Sequence, residues 1–593
     1  MPPGQARSGR AAHAGDFAPN TRLIMLSAFA IVIGVLSTAG AALLLNAIRF
    51  FTNLFFFQTL SLAARSPADN HLGLAVIAVP VIGGIIVGLM ARFGTEKIRG
   101  HGIPEAIETI LYGKSRMSPK VAILKPLSSG IVIGSGGPFG AEGPIIVTGG
   151  AAASLLAQAF HLTAAERKAL LVAGACAGMT AVFGTPLAAI LLAVELLLFE
   201  LRPRSLLPVA LSCAVAGFLR PQWAGAGPLF PLATPLPGWE ALLSCCALGL
   251  ICGAASSAMT LALYRVEDFF SRLPVHWMWW PALGAGVVGL GGVLEPRALG
   301  VGYDVIGDLL NHDLVMRAAL ALLIVKFLIW VVALGSGTSG GVLAPLLMIG
   351  AGLGSVLSGW LPGGSPQLWA LVAMAAMLAG TMRAPLTAVV FAFGLTQDAN
   401  AFLPAILGCA TAYGFTVIVM PRSILTEKIA RRGRHVFREY GVDPLERHFV
   451  EEVMTRAIVS IAGDLTIAEA RRRFFGASQH HRAYPVLAAD GRLLGVVDRA
   501  AMNRMAENDA LDTIGRALEG SPVPEYASPG ETCRAVAQRL AASGRERLPV
   551  VEDALTLRVV GIVSRSDLLK PMRAQHEEES LRERVFHVMG NDR

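Results

Sequence analysis

A single carboxylate, Glu142, lies in a run from Gly134 to Pro144 in which seven of the eleven residues are Gly or Pro. Apolar segments flank this run on both sides. Broken backbone at membrane depth is tolerated only where it is buried in protein or lines a cavity, and an acid at that depth is a functional candidate. The amides at the start of a helix favour an anion. A carboxylate beside them can fill a site that a free anion would otherwise take, so this pattern is typical of a gate.

The composition is that of a chain with many membrane spans. Hydrophobic residues make up 54% of the 593 residues, charged residues only 16%, and Gly occurs 64 times. The segment from Leu23 to Ile48 carries no charge, which is enough for a spanning helix of about 20 residues. It is longer than the core of a signal peptide and is predicted to be retained. Because Arg7, Arg10 and Arg22 precede it, the N-terminus is predicted to be cytoplasmic in a multi-pass protein of a bacterial inner cell membrane.

The formal net charge of +8 does not indicate a nucleic-acid partner. Basic residues cluster just after the last apolar stretch, which is typical of a cytoplasmic flank beside anionic lipid. The members of this cluster are Lys428, Arg431, Arg432, Arg434 and Arg438. Because no recognition motif or interleaved aromatic residues accompany the charge, nucleic-acid binding is disfavoured. The seven cysteines show no metal or redox spacing and are predicted to lie in the core.

The apolar part of the chain contains an internal repeat. The Gly-Ser-Gly at Gly134 and the Gly and Pro that follow it recur 201 residues later, from Gly335 to Pro345. A second match, between the segments that begin at Gly184 and Arg383, has an offset of 199 residues. Paired, Gly-interrupted segments in corresponding halves point to the midplane site of a transporter, and breaks at matching depth favour an inverted repeat.

After Pro421 the charge rises and the pattern becomes that of soluble helices and strands. Here Tyr484-Pro485-Val486 and Gly495-Val496-Val497 recur as Leu548-Pro549-Val550 and Gly561-Ile562-Val563, which predicts two similar α/β units that pack as one module. The chain is therefore divided into a cytoplasmic tail 1–21, a transmembrane domain 22–432, a linker 433–449, two units 450–505 and 506–575, and a C-terminal tail 576–593.

Three motifs of the membrane part resemble, in order, the anion-site motifs of the CLC chloride channels and transporters. They begin at Gly100, Gly140 and Gly341, and the soluble units resemble a pair of CBS domains. The resemblance implies an inverted repeat of broken helices and a homodimer with one anion pathway per subunit. It also implies that helix N-termini converge on chloride as the permeant ligand, and that Glu142 is the gating glutamate. The anion-binding residues carried over from it are Gly100, His101, Gly102, Ile103, Pro104, Gly140, Ala141, Gly143, Pro144, Gly341, Val342, Leu343, Ala344, Pro421 and Leu425.

This sequence departs from the family pattern at three side chains. His101 replaces the serine of the first motif, and Leu343 replaces an aromatic residue of the third. The inner tyrosine of the family would fall between Pro421 and Leu425, where there is none. We therefore expect backbone amides to make most of the contacts to the anion. His101 either presents a ring N–H to the anion or donates to the backbone, and Lys125 either raises the local positive potential or snorkels to an interface.

The proton path carried over from the family comprises Glu142, Glu195 and Glu200. In proton-coupled members an inner glutamate follows the residue that matches Glu195, and here Leu196 takes that place. Leucine cannot pass on a proton, whereas Glu200 lies four residues further along the same helix face and can substitute if water reaches it. Glu195 can equally be a structural acid near a helix end. The sequence favours a chloride channel, with a proton-coupled chloride/H+ antiporter as the alternative.

The second CBS-like unit contains Ser564 and Asp567, which match residues that hold phosphate and ribose in nucleotide-binding members. A carboxylate offers two acceptor oxygens to a diol. The first unit has Asp498 and Ala501 at the equivalent places, so its site is predicted to be degenerate. The chain is expected to need no cofactor, and an adenine nucleotide at the CBS pair is the regulatory ligand considered.

Two other functions compete with anion transport. An intramembrane serine hydrolase is suggested by Gly337-Thr338-Ser339-Gly340, but no histidine follows Ser339 before His435. A serine nucleophile needs a base within hydrogen-bond reach, so no catalytic residue is assigned and the chain is not predicted to be an enzyme. A CBS-linked cation transporter is disfavoured because hard cations need several oxygen ligands, and the apolar core has no cluster of acids.

Overall fold

The computed structural model describes residues 22–434, 436, 444–476, 479, 481–507, 512–522, 524–580 and 582–583. The chain divides into two compact units, the first Met1–Tyr440 with Leu581–Arg593 and the second Gly441–Ser580. The predicted N-terminal tail, about half of the linker and most of the C-terminal tail lie outside the described residues, as do Arg438 and His435.

The first unit is helical and is built from two similar series of helices. The first series is α1 (Arg22–Phe57), α2 (Ala78–Phe93), α3 (Ile103–Tyr112), α4 (Pro119–Gly134), α5 (Glu142–Gln158), α6 (Ala164–Phe183), α7 (Pro186–Leu192), α8 (Pro203–Leu219) and the short α9 (Pro221–Ala224). The second series is α10 (Ala241–Ser271), α11 (Trp280–Leu294), α12 (Tyr303–Asn311), α13 (Met316–Gly335), α14 (Leu343–Leu357), α15 (Pro366–Met382), α16 (Pro385–Thr396) and α17 (Phe402–Val419), followed by α18 (Ile424–Arg431).

Seven helical segments of the described residues are long and apolar enough to cross a membrane. Others, such as α7 and α16, are too short to do so. Broken helices are tolerated in such a unit because they are buried in protein, and α6 and α15 are buried along almost their whole length. The predicted mixture of full spans and interrupted segments is confirmed.

The two series are related as an inverted repeat. The helices from α1 to α8 recur as α10 to α17, and the packing of α5 on α6 recurs in α14 on α15. The halves meet at equivalent residues, since Gly140 and Gly341 form an antiparallel bridge. An antiparallel pair of equivalent residues has local two-fold symmetry. The repeat and its inversion, both predicted, are thereby confirmed.

Equivalent glycines turn the chain at the start of the two breaks. Gly136 follows α4 with a φ of +97°, and Gly337 follows α13 with a φ of +78°. Only glycine adopts this region readily. Each turn ends one helix so that a new one, α5 or α14, can begin a few residues later. Equivalent positions also end α6 and α15, where Gly184 and Arg383 adopt left-handed conformations.

The second unit has two similar halves, as predicted. The strands, numbered along the whole chain, are β1 (Leu162–Thr163), β2 (Ile461–Ala462), β3 (Ala483–Leu487), β4 (Leu493–Asp498), β5 (Arg547–Val551), β6 (Val559–Ser564) and β7 (Arg582–Glu583). The helices are α19 (Pro444–Arg447), α20 (Val450–Val453), α21 (Ile467–Phe474), α22 (Arg499–Ala506), α23 (Ile514–Leu518), α24 (Cys533–Ser543) and α25 (Lys570–Ser580). The antiparallel hairpins β3–β4 and β5–β6 each carry an irregularity at the same place, and each half has its own apolar core. In the first unit, β1 pairs with β7.

Candidate functional site

The N-termini of α5 and α14 meet at the bridge between the two halves. Gly140 N–H donates to the Gly341 carbonyl at 3.2 Å, and Gly341 N–H donates to the Gly140 carbonyl at 3.0 Å. Both segments are wholly buried from Gly140 to Pro144 and from Gly341 to Pro345. Two helix starts at one buried place concentrate amide groups that favour negative charge.

The first motif packs against the same bridge. Gly340 N–H donates to the Gly100 carbonyl at 3.4 Å. A methyl group at Gly143 would lie 3.2 Å from Gly341 Cα and would collide with the carbonyl oxygen of His101. The first two motifs and the third, which follows the second by about 200 residues, thus form one contiguous cluster, and only glycine permits so close an approach.

Glu142 occupies the centre of this cluster. Its side chain is fully buried, and Oε1 accepts a hydrogen bond from the Ala344 N–H at 3.0 Å. Oε2 has no hydrogen-bond partner among the described residues. A carboxylate that accepts from the first turn of α14 takes the place of a small anion at a helix start. Burying a charged carboxylate costs free energy when its oxygens are not all hydrogen-bonded. Movement or protonation of Glu142 would remove this cost and release the Ala344 amide.

His101 brings an unused donor to the cluster. The residue is 2% exposed, and neither Nδ1 nor Nε2 has a hydrogen-bond partner among the described residues. Of the two alternatives for His101, donation from the ring to the backbone is therefore wrong. The next N–H, that of Gly102, is engaged by Glu105 at 2.9 Å. Every protonation state of imidazole carries at least one N–H, so a donor is available here for a ligand.

Two equivalent lysines brace the loops beside the site. Lys125 Nζ donates to the carbonyls of Ile98 and Gly100, both at 2.8 Å. Lys326 Nζ donates in the same way to the carbonyls of Ala298 and Gly300, both at 2.9 Å. Both side chains are fully buried, so the alternative that Lys125 snorkels to an interface is wrong.

Sequence reasoning missed Lys326, although it lies 201 residues after Lys125, which is the offset of the repeat.

The residues expected to close the inner side lie at and before α18. Leu425 is fully buried in the first turn of α18, whereas Pro421 is exposed and its carbonyl accepts from Arg383 Nη1 at 3.3 Å. Helix α18 is tied to the first motif by an ion pair of 3.0 Å between Lys428 and Glu105. The Tyr264 hydroxyl donates to the Ile424 carbonyl at 2.5 Å.

The two inner acids are engaged in local structure. Glu195 accepts from the amides of Leu386 and Thr387, at 3.2 and 2.8 Å, and so caps the N-terminus of α16. Glu200 accepts from the Ser205 hydroxyl at 2.7 Å and lies near two basic side chains. Leu196, between them in sequence, is fully buried. This geometry matches the structural-acid interpretation of Glu195.

The competing functions find no support in the geometry. The Ser339 hydroxyl lies 3.3 Å from that of Ser128 and 3.0 Å from that of Ser129, rather than beside a base. Within the described ranges, no group of three or more His, Cys, Asp or Glu side chains could hold a metal ion. A serine nucleophile needs a base and a hard cation needs several oxygen ligands, and neither arrangement is found among the described residues.

In the second unit, the predicted pair Ser564 and Asp567 is joined by hydrogen bonds. Asp567 Oδ2 accepts from both the amide and the hydroxyl of Ser564, at 2.9 and 2.7 Å, and Oδ1 pairs with Lys570 at 2.7 Å. Burial raises the pKa of Asp567, but the hydrogen bonds from Lys570 and Ser564 outweigh it, so the pKa is lowered overall. The carboxylate is therefore ionised at neutral pH. In the first half of the second unit, the equivalent Asp498 accepts from the Ala501 amide at 2.7 Å and caps α22.

Comparisons with known proteins identify the families that the two parts of the chain match. The sequence profile of the family described as voltage gated chloride channel matches residues 82–417, and that of the CBS domain matches 450–505 and 520–573. The voltage-gated ClC-type chloride channel ClcB of Citrobacter koseri is 28% identical over 418 residues, which cover 68% of this chain and 97% of ClcB. The H(+)/Cl(−) exchange transporter ClcA of the same organism is 28% identical over 361 residues, or 55% of this chain and 74% of ClcA.

The fold of the first unit also has a close counterpart among solved structures. The crystal structure of a slow cyanobacterial Cl−/H+ antiporter aligns with a TM-score of 0.61 at 21% identity, covering 70% of this chain and 99% of that one. At this identity the likeness establishes the fold. Because the family profile matches more than half of the chain, and three motifs of the repeat meet at one buried cluster, this multi-pass membrane protein belongs to the voltage-gated chloride channel (CLC) family and carries two CBS domains.

Proposed function

We propose that the protein is a chloride channel in which the Glu142 carboxylate is the gate. The observation that carries this proposal is the hydrogen bond from the Ala344 amide to Glu142, at a place where two helix N-termini meet. A negative group held by helix-start amides competes directly with an anion for those amides. When Glu142 swings aside or is protonated, the Ala344 N–H is released to chloride.

The permeant anion is bound mainly by backbone amides of the second and third motifs, with His101 as an additional donor. The ring nitrogens of His101 have no hydrogen-bond partner among the described residues, and the backbone of this residue packs against Gly143 where the first motif meets the second. Lys125 and Lys326 add positive charge close by without contacting the anion, because their ammonium groups are occupied by carbonyls. Small anions suit such a site because each amide makes one short contact.

The residues on the inner side favour a channel over an exchanger. Leu196 cannot carry a proton, and both oxygens of Glu195 accept from α16 amides. Glu200 is engaged with Ser205. The second candidate is a chloride/H+ exchanger. It is favoured by the similarity to ClcA and to the cyanobacterial antiporter.

A flux measurement separates the two candidates. In proteoliposomes with a chloride gradient and no proton gradient, we expect chloride to move without uphill movement of protons, because the inner carboxylate is missing at Leu196. The measurement records chloride efflux and external pH together.

Uphill proton movement would contradict the channel proposal. Glu195→Gln and Glu200→Gln would then identify which inner acid relays the proton, since the one that does so would lose proton transport while chloride flux continues.

We assign the protein to a bacterial inner membrane as a homodimer with one anion pathway per subunit, with the N-terminus and CBS domains in the cytoplasm. Basic residues that follow the last membrane helix support this orientation, including Arg431 and Arg432. Long apolar side chains such as Leu43 and Ile418 are exposed on the helices, as lipid contacts or a dimer contact require.

We propose that an adenine nucleotide binds the CBS pair at Ser564 and Asp567 and regulates the channel. In the full-length protein, Asp567→Ala is expected to weaken adenosine triphosphate binding by about tenfold or more, because a hydrogen bond to a charged group contributes roughly 1.5–3 kcal/mol. Isothermal titration calorimetry measures the effect. Asp498→Ala removes the equivalent acid from the degenerate copy and should leave the affinity unchanged. Equal effects of the two variants, or none, would argue against this site.

A further inference from the structure

The second half of the chain contains an unrecognised counterpart of the first anion motif. Gly300-Val301-Gly302-Tyr303 lies 200 residues after Gly100 and begins α12 as the first motif begins α3. The glycines match in conformation, with φ of +80° and +89° at Gly100 and Gly102, and of +65° and +74° at Gly300 and Gly302. Because the repeat is inverted, this segment faces the central site from the side opposite the first motif.

Tyr303 places its hydroxyl beside the gate. The hydroxyl is buried next to the Glu142 carboxylate and close enough to interact with it. Neither the hydroxyl nor Glu142 Oε2 completes a hydrogen bond of ordinary geometry with any described residue. Two buried polar atoms that face each other unpaired are costly, and a small side-chain movement joins them.

The ring of Tyr303 packs against other aromatic rings and also borders a cavity. It makes edge-on contacts with Phe183 and Phe230, with ring centroids 6.1 and 6.3 Å away. It also lines a cavity of about 320 Å³ together with Phe230, Asp304 and Asn311. Tyr303 therefore borders this cavity and also interacts with Glu142.

The other charged group that faces Glu142, the ammonium group of Lys326, already donates to backbone carbonyls. Lys326, on α13, interacts electrostatically with Glu142, but its ammonium group donates to the carbonyls of Ala298 and Gly300. Asp304, on α12, is exposed and interacts with Lys326. From α14 only the Ala344 amide reaches the carboxylate, through Oε1. The Tyr303 hydroxyl interacts with Glu142 and has no other hydrogen-bond partner among the described residues, so it is free to serve Oε2.

We propose that Tyr303 is a positioning residue of the gate, donating to Glu142 Oε2 in the closed state, and that the cavity it lines is the mouth on that side of the pathway. The inference rests on the proposed gating role of Glu142. A donor to a carboxylate stabilises the charged, seated form relative to the neutral form. Loss of the hydroxyl should therefore let the gate open at a higher pH.

The test compares Tyr303→Phe with the parent protein by chloride efflux from proteoliposomes as a function of pH. This change removes one oxygen and keeps the ring. We expect the ratio of closed to open gate to fall about tenfold, which raises the midpoint of acid activation by roughly one pH unit. Tyr484→Phe is the matched control, because it removes a buried, unpartnered hydroxyl from the second unit and should leave the profile unchanged.

A second variant changes the strength of the donor without removing it. With 3-fluorotyrosine at position 303, which is a stronger hydrogen-bond donor, we expect the midpoint to move to lower pH. In a Glu142→Ala background, Tyr303→Phe should no longer displace the pH profile. Flux is normalised to protein that elutes as a single folded species.

Two results would overturn the inference: a Tyr303→Phe profile that superimposes on the parent, or an equal displacement in the Glu142→Ala background. Failure of the gate itself gives a different result, since Glu142→Ala would then keep the parent's acid activation whatever residue stands at position 303.

Discussion

Glu142→Gln is expected to carry chloride at a high rate that no longer depends on pH. Glutamine has nearly the shape of a protonated glutamate and carries no charge, so it cannot hold the helix-start amides as a carboxylate does. In the parent protein, acid converts the carboxylate that accepts from Ala344 into a neutral group, and flux rises as pH falls. For a single titrating group the neutral fraction changes by up to about tenfold per pH unit. The variant should show none of this change.

The measurement is chloride efflux from proteoliposomes across a series of symmetrical pH values. Glu240→Gln is a suitable control, because Glu240 is exposed just before α10 and its replacement should preserve the parent's acid activation. An acid activation that persists unchanged in Glu142→Gln would refute the gate assignment.

The second large effect is expected at Gly143, where Ala should abolish most of the chloride flux. The added methyl group would collide with the His101 carbonyl oxygen and lie 3.2 Å from Gly341 Cα. Both neighbours are backbone atoms of the other two motifs, so no side chain can rotate to make room. Overpacking of this kind costs about 1–3 kcal/mol, and here the strain separates the groups that bind the anion.

Gly286→Ala provides the matched control for this prediction. Gly286 lies in α11, and a methyl group there would meet no atom within 4 Å. Efflux should remain at the level of the parent, and its unfolding temperature should not fall, because Ala favours a helix over Gly. Normal flux in Gly143→Ala would show that the first and second motifs do not need their close approach.

Sequence reasoning selected Glu142 as the candidate gate because it lies within a pattern that is rare in apolar sequence, a charged residue inside a Gly-rich break. It reached the repeat because Gly335 to Pro345 shares its Gly and Pro positions with the first copy. The segment at Gly300 shares only its two glycines with the first motif, and this identity is too low to reveal the equivalence from the sequence alone. Tyr303 was missed for that reason.

Other contacts could not be predicted from the sequence, because they join distant segments through backbone groups. The amides that Glu195 caps belong to α16, almost 200 residues away, and any sequence that begins a helix there would supply them. The carbonyls that hold Lys125 and Lys326 carry no sequence signal either. Only the offset of the repeat connects these two lysines in the sequence. A buried charge in one half of a repeat therefore predicts a buried charge at the equivalent position of the other half.

The bridge between Gly140 and Gly341 has a consequence for biosynthesis. Glu142 and the amide that it accepts from are 202 residues apart in the chain. At translation rates of about 5–20 residues per second, roughly 10–40 s pass between the synthesis of the two partners. During this interval the first half must reside in or beside the membrane with an uncompensated acid, and a neutral carboxyl group costs far less there than a charged one. Glu142 should thus enter the bilayer protonated and lose its proton only when α14 arrives, so that the site acquires its charge as the last step of assembly.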